Sequence, residues 1–100
     1  MNIEIVREKE SGCCLLRIEG EMTIYGAAEM KEKIISSLGP CSEIYADLSQ
    51  VSEIDTSGIQ LLILLRREAQ AQGKRFRITS KSAAVETVTG LLNLNEISEN

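Results

Sequence analysis

Histidine and tryptophan are absent from this chain, and only three aromatic side chains are present, two Tyr and one Phe. Without histidine, a serine nucleophile lacks its usual general base. Lysine is the common substitute, but Lys74 and Lys81 stand in no Ser-x-x-Lys relation to Ser57. No Gly-rich phosphate loop of the Walker or dinucleotide type occurs. These absences speak against an enzyme, and no catalytic residue is assigned. A Cys-x-x-Cys pair is missing as well, so neither a zinc site nor any other metal or cofactor is expected. The scarcity of aromatics implies an aliphatic core.

Long apolar runs are also lacking. The longest in the second half is Leu61–Leu65, whereas a membrane span needs about 20 such residues. No basic segment followed by an apolar one opens the chain, so no signal peptide is expected and the predicted location is cytoplasmic. Charge of one sign is nowhere concentrated. Eleven Lys and Arg face fifteen Asp and Glu, a net charge of −4, and the basic residues occur singly or in short clusters such as Lys74-Arg75-Phe76-Arg77. A polyanion partner needs a basic face, so nucleic acid is not an expected partner. The cysteines are Cys13, Cys14 and Cys41. Adjacent cysteines on a strand point to opposite faces, which leaves no obvious bridge. Three reduced thiols are expected, in keeping with a cytosolic domain.

What is present suits one globular domain over residues 1–100. The apolar fraction is 43%, and a chain of this size buries roughly 65% of its unfolded surface, enough for a core without metal or disulfide help. The informative stretch is Ile44–Leu65. The apolar run Ile44 to Leu48 ends in polar residues, and a compact turn, Asp55-Thr56-Ser57-Gly58, follows Ile54. Beyond it the apolar residues crowd at helical spacing, which reads as strand, loop and helix start. Ser57 with Gln60 has the capping-box pattern, which places Ser57 at the N-cap with its hydroxyl facing outward. Gly58 leaves the neighbouring backbone without a Cβ, so another molecule could approach closely.

Asp47-Leu48-Ser49, Val51 and then Ile54-Asp55-Thr56-Ser57-Gly58, with an apolar helix behind, resemble the STAS domain of bacterial anti-sigma-factor antagonists. The resemblance implies helices packed against a mixed sheet, in a compact stand-alone member. It also implies that Ser57 is the residue a partner kinase phosphorylates, with Thr56 as the less favoured acceptor. Asp55 is read as a turn former rather than an aid to phosphate transfer. Asp47 is read as a loop anchor.

The remaining segments agree with that order. Ile3–Lys9 and Cys14–Glu21, separated by Glu10-Ser11-Gly12, predict a hairpin. Tyr25–Leu38 predicts a helix, with Ala27, Met30, Ile34, Ile35 and Leu38 on one face, stopped by Gly39-Pro40. Glu43–Leu48 predicts a buried strand. A helix from about Gly58 to Gln72 turns Leu61, Leu62, Leu65 and Ala69 toward the sheet. Ile59 and Ile63 fall to one side of that stripe and Leu64 to the other. Gly73 is placed as a C′ cap. Phe76–Thr79 and Ser82–Leu92 complete the α/β order β-β-α-β-α-β-α, with fraying expected from Asn93.

The function expected from this reading is a phosphorylation-controlled binding module. Unmodified at Ser57, it would bind a serine kinase or anti-sigma factor through Asp55, Thr56, Ser57, Gly58, Ile59 and Ile63. The alternative is a constitutive adaptor in a chemotaxis, signalling or lipid-transport complex that needs no phosphate.

Overall fold

The protein is described by a computed structural model covering residues 1–8 and 11–91. The expected fraying from Asn93, and the ends of the expected elements at Lys9 and Leu92, lie outside the described residues. Strands β1 (Asn2–Arg7) and β2 (Cys13–Met22) are followed by helix α1 (Ala27–Ser37) and strand β3 (Glu43–Ile54). Helix α2 (Thr56–Ala71), strand β4 (Arg75–Lys81) and helix α3 (Ala83–Leu91) complete the chain. The α/β order is the expected one. The four strands form one mixed sheet in the order β1-β2-β3-β4. β1 and β2 are antiparallel, and β2–β3 and β3–β4 are parallel.

Alternation decides which face is inside. Cys14, Leu16 and Ile18 of β2, Ile44, Ala46 and Leu48 of β3, and Phe76 of β4 are buried, while the intervening residues are not. Leu61, Leu62, Leu65 and Ala69 of α2 join them in the core, as their helical spacing requires. α2 ends as expected at Gly73, whose φ is +71°. The Gly73 amide donates to the Gln70 carbonyl and the Lys74 amide to the Ala69 carbonyl, a Schellman closure.

Two boundaries differ most from the sequence reading. β3 continues past Leu48 to Ile54, because Val51 and Ile54 are buried and pair with Gly20 and Met22 of β2. Its polar residues Ser49, Gln50, Ser52 and Glu53 remain exposed. A register shift near Arg17 and Glu19 breaks the alternation there, which hides the strand from a period-2 pattern. α1 begins at Ala27 rather than Tyr25, since residues 23–26 form a turn in which the Gly26 and Ala27 amides donate to the Thr23 carbonyl.

The cysteines depart most. Cys14 and Cys41 form a disulfide, with Cα atoms 5.8 Å apart, and Cys13 alone is a free thiol. The opposite facing of Cys13 and Cys14 holds, but α1 returns the chain so that Cys41, 27 residues later, meets Cys14 in the core. The expectation of three reduced thiols is therefore corrected to one. No helix among the described residues is long and apolar enough to cross a membrane.

Candidate functional site

β2 and β3 run in parallel and end together at the Met22–Ile54 pair, which brings two loops side by side. Asp55 joins them. Its backbone is extended (φ −115°, ψ −171°), as an N-cap requires. Its Oδ1 accepts from the Gly58 amide at 3.1 Å and its Oδ2 from the Ile24 amide at 3.1 Å. Its own amide donates to the Met22 carbonyl, and its carbonyl accepts from Ile59. One carboxylate thus starts α2 and holds the loop that precedes α1.

The N-cap is therefore Asp55 and not Ser57, because helical geometry begins two residues earlier than the capping-box pattern implies. Ser57 is the second residue of α2, half-buried, and Gln60 is exposed rather than folded back. Gly58 is buried, and its missing Cβ serves an internal approach. A Cβ there would stand 2.7 Å from Ile54 Cγ1 and 2.9 Å from Met22 Cβ, and would strike the Met22 carbonyl oxygen. Ile59 is only 3% exposed. α2 contacts α1, β3 and β4 at once, so its buried face is broader than one stripe. Ile63 is half-buried and packs on the core. Of the six residues expected to meet a partner, Thr56 is exposed and Asp55 and Ser57 are half-exposed. Gly58 and Ile59 are interior, which removes them from any contact surface.

A different surface borders Ser57. A groove of about 240 Å³ lies between the first turns of α1 and α2, lined by Ala27, Ala28 and Lys31 on one wall and Ser57, Leu61 and Leu64 on the other. Ile24 also lines it and is 66% exposed, and the adjacent Tyr25 is 91% exposed. Sequence reading absorbed Tyr25 into a helix and assigned Ile24 to no element, and so missed both. The available signal was Leu64, which falls off the core stripe on the side opposite Ile59.

Two further acidic groups have structural partners. Asp47 Oδ1 accepts from the Ser49 amide at 2.9 Å, and Oδ2 accepts from Arg17 Nε at 3.4 Å. The Ser49 hydroxyl and amide, with Arg17 behind them, hold the Asp47 carboxyl below its ordinary value. The sequence implied a loop anchor at a strand end; Asp47 instead lies within β3 and braces that strand where its register shifts. Glu43 accepts the Tyr45 hydroxyl at 2.8 Å and the Cys13 thiol at 3.3 Å. These bonds, Tyr45 first, lower the Glu43 carboxyl, while Glu43 raises the Tyr45 hydroxyl.

The fold has close counterparts among solved structures. The anti-sigma factor antagonist SpoIIAA in its unphosphorylated form superposes with a TM-score of 0.76 at 21% identity, over 95% of this chain and 84% of that one. SpoIIAA of Bacillus in the phosphorylated form gives 0.70 at 20% identity, over 95% and 86%. An anti-sigma factor antagonist from Mycobacterium paratuberculosis gives 0.73 at 17% identity, over 98% and 84%. The family model described as "Mlab, STAS domain" matches residues 5–99. With that match over nearly its whole length, and with the mixed sheet and β-β-α-β-α-β-α order described above, the chain belongs to the STAS domain family.

Proposed function

We propose that this protein is a cytoplasmic protein-binding module whose partner, a regulatory serine kinase or anti-sigma factor, is held while Ser57 is unmodified. The observation that carries the proposal is the place of Ser57, on the wall of an open groove beside exposed Ile24 and Tyr25. The contact surface is Ile24, Tyr25, Lys31, Thr56, Ser57 and Leu64, with Asp55 beneath them as the clasp. Phosphate on Ser57 adds a charge of about −1.5 to −2. The first turn of α2 favours an anion, so the fold tolerates the modification. The partner does not, because a charge would then be desolvated inside an apolar contact. The likeness to SpoIIAA structures in both forms supports this reading.

The family description, which names Mlab rather than an antagonist, favours a second reading. There the same groove docks constitutively into a chemotaxis, signalling or lipid-transport complex. One experiment separates the two. The partner recovered from the native cell is titrated with wild type, Ser57→Ala, Ser57→Asp and Tyr25→Ala. The switch requires Ser57→Asp to bind at least tenfold more weakly, about 1.4 kcal/mol, with Ser57→Ala close to wild type. Equal affinity for wild type and both Ser57 variants, with loss only in Tyr25→Ala, leaves the constitutive adaptor. Unchanged binding by Tyr25→Ala removes Tyr25 from the contact surface.

A further inference from the structure

All the helices lie on one side of the sheet. Ile34 of α1, Leu62 of α2 and Val85 of α3 enter a single core with Leu16, Ala46 and Phe76. Val6, Leu15 and Tyr45 point the other way and are neither in that core nor packed against it. Their face of the sheet is uncovered among the described residues, although parallel strands such as β2, β3 and β4 ordinarily carry cover on both faces. Register lays rows of side chains across it. Val6, Leu15, Tyr45 and Arg77 stand side by side from β1 to β4. Val6 is 50% exposed, and Leu15 and Tyr45 are half-buried. The Tyr45 hydroxyl donates to Glu43 on its own strand at 2.8 Å, so the ring leans along β3 and offers its flat side. Charge divides by edge. Arg17 holds Asp47 at 3.4 Å and stands 3.9 Å from Glu4, whose side chain stays 64% exposed at the β1 edge. At the β4 edge Arg75 and Arg77 are exposed and make no ion pair among the described residues.

We propose that this open face binds the same face of a second copy of the chain. A two-fold axis parallel to the strands turns one sheet over onto the other. It lays the β4 edge of each copy over the β1 edge of its mate, so that Arg77 comes within reach of Glu4, and it sets Leu15 over Tyr45. Each contact occurs twice. An axis across the strands would instead stack β1 on β1 and β4 on β4, acid on acid and arginine on arginine. Charge therefore selects the first arrangement. The strands run from six residues in β1 to twelve in β3. At a spacing of about 4.8 Å and a rise of about 3.3 Å, the face covers roughly 500 Å² per copy, about 1,000 Å² for the pair. That is the lower limit of a specific interface, so the dimer is weak and reversible. The groove beside Ser57 lies between α1 and α2, on the helix side, and stays open in both copies. The pairing does not depend on what that groove binds.

The test is sedimentation equilibrium of the unreduced chain at low salt, from about 10 μM to 1 mM. Cys13→Ser is the background, so that no pair is held by a disulfide between copies. Arg77→Glu, the double variant Glu4→Arg with Arg77→Glu, and Val6→Lys are compared in it. Val6→Lys, at an exposed site, also stands in should Arg77→Glu fold poorly. The expected result is a monomer–dimer equilibrium that weakens with added salt and at least about tenfold in Arg77→Glu and in Val6→Lys. The double variant, with the two charges exchanged, should recover the dimer. Monomer at every concentration overturns the proposal and leaves the face to a different protein. A dimer unchanged in Arg77→Glu and Val6→Lys forms through another surface and overturns it as well. A dimer lost in Arg77→Glu and not recovered in the double variant overturns the pairing of Arg77 with Glu4, and with it the axis.

Discussion

At the scale of single residues, Asp55 and Ser57 exchange the roles their spacing suggests. A hydroxyl three residues before a Gln reads as a cap, but a carboxylate two residues earlier caps better here because its second oxygen is also used. Asp55→Ala should lose about 1–2 kcal/mol, since two backbone amides lose their acceptor. Ser57→Ala should change stability by less than about 0.5 kcal/mol, because Ser57 caps nothing. Urea midpoints of the two variants check both, and a loss in Ser57→Ala equal to that in Asp55→Ala would return the cap to Ser57. Asp47 supplies a pH dependence. Its folded carboxyl titrates below its unfolded value, so its stabilisation is present above the unfolded value, near 4, and is lost as pH falls through the lower folded value. Asp47→Asn should therefore be less stable than wild type at neutral pH, by about 1–2 kcal/mol. The difference should vanish in strong acid, and a difference independent of pH would mean that the charge contributes nothing.

At the scale of elements, periodicity found every helix and strand, and it failed where two patterns meet. β3 is the clearest case. Its first half alternates cleanly, but the shifts between Arg17 and Glu19 and between Gly20 and Glu21 leave the buried Leu48, Val51 and Ile54 three residues apart. A strand with a bulge then reads as a polar loop. α2 shows the same limit from the other side. The stripe Leu61, Leu62, Leu65 and Ala69 was legible, but the burial of Ile59 and Gly58 depends on neighbours that come from distant parts of the chain. Leu62, fully buried, should lose about 2–5 kcal/mol on truncation to Ala. Gly58→Ala should lose at least as much as a typical overpacked core site, about 1–3 kcal/mol, because the new methyl meets backbone. Thermal unfolding of each variant is the check, and a neutral Gly58→Ala would mean that the end of β2 yields freely.

At the scale of the whole molecule, the sequence foretold the α/β order and its mixed sheet, but not the cross-link. No local signal joins Cys14 to Cys41, because only the return of α1 makes them neighbours. Thiol counting on unreduced protein in denaturant should find one thiol, and three would mean that the bridge is absent. Cys41→Ser should cost about 3–4 kcal/mol, from the chain entropy of opening a loop of 27 residues. The candidate site was half legible for a related reason. Ser57 stood out by its motif, whereas Ile24 and Tyr25 became notable only when β2 and β3 were seen to end side by side. The clasp at that junction has a kinetic meaning. A single carboxylate anchors the segment bearing Ile24 and Tyr25 to the first turn of the opposite wall, so the receptor face is already in shape before any encounter. A visitor therefore meets a lock rather than a loop that must first settle. Association should run at the ordinary docking rate, about 10⁵–10⁷ M⁻¹s⁻¹, in a single phase that does not saturate with partner concentration. Asp55→Ala, with the segment unfastened, should show a slower second phase in stopped flow.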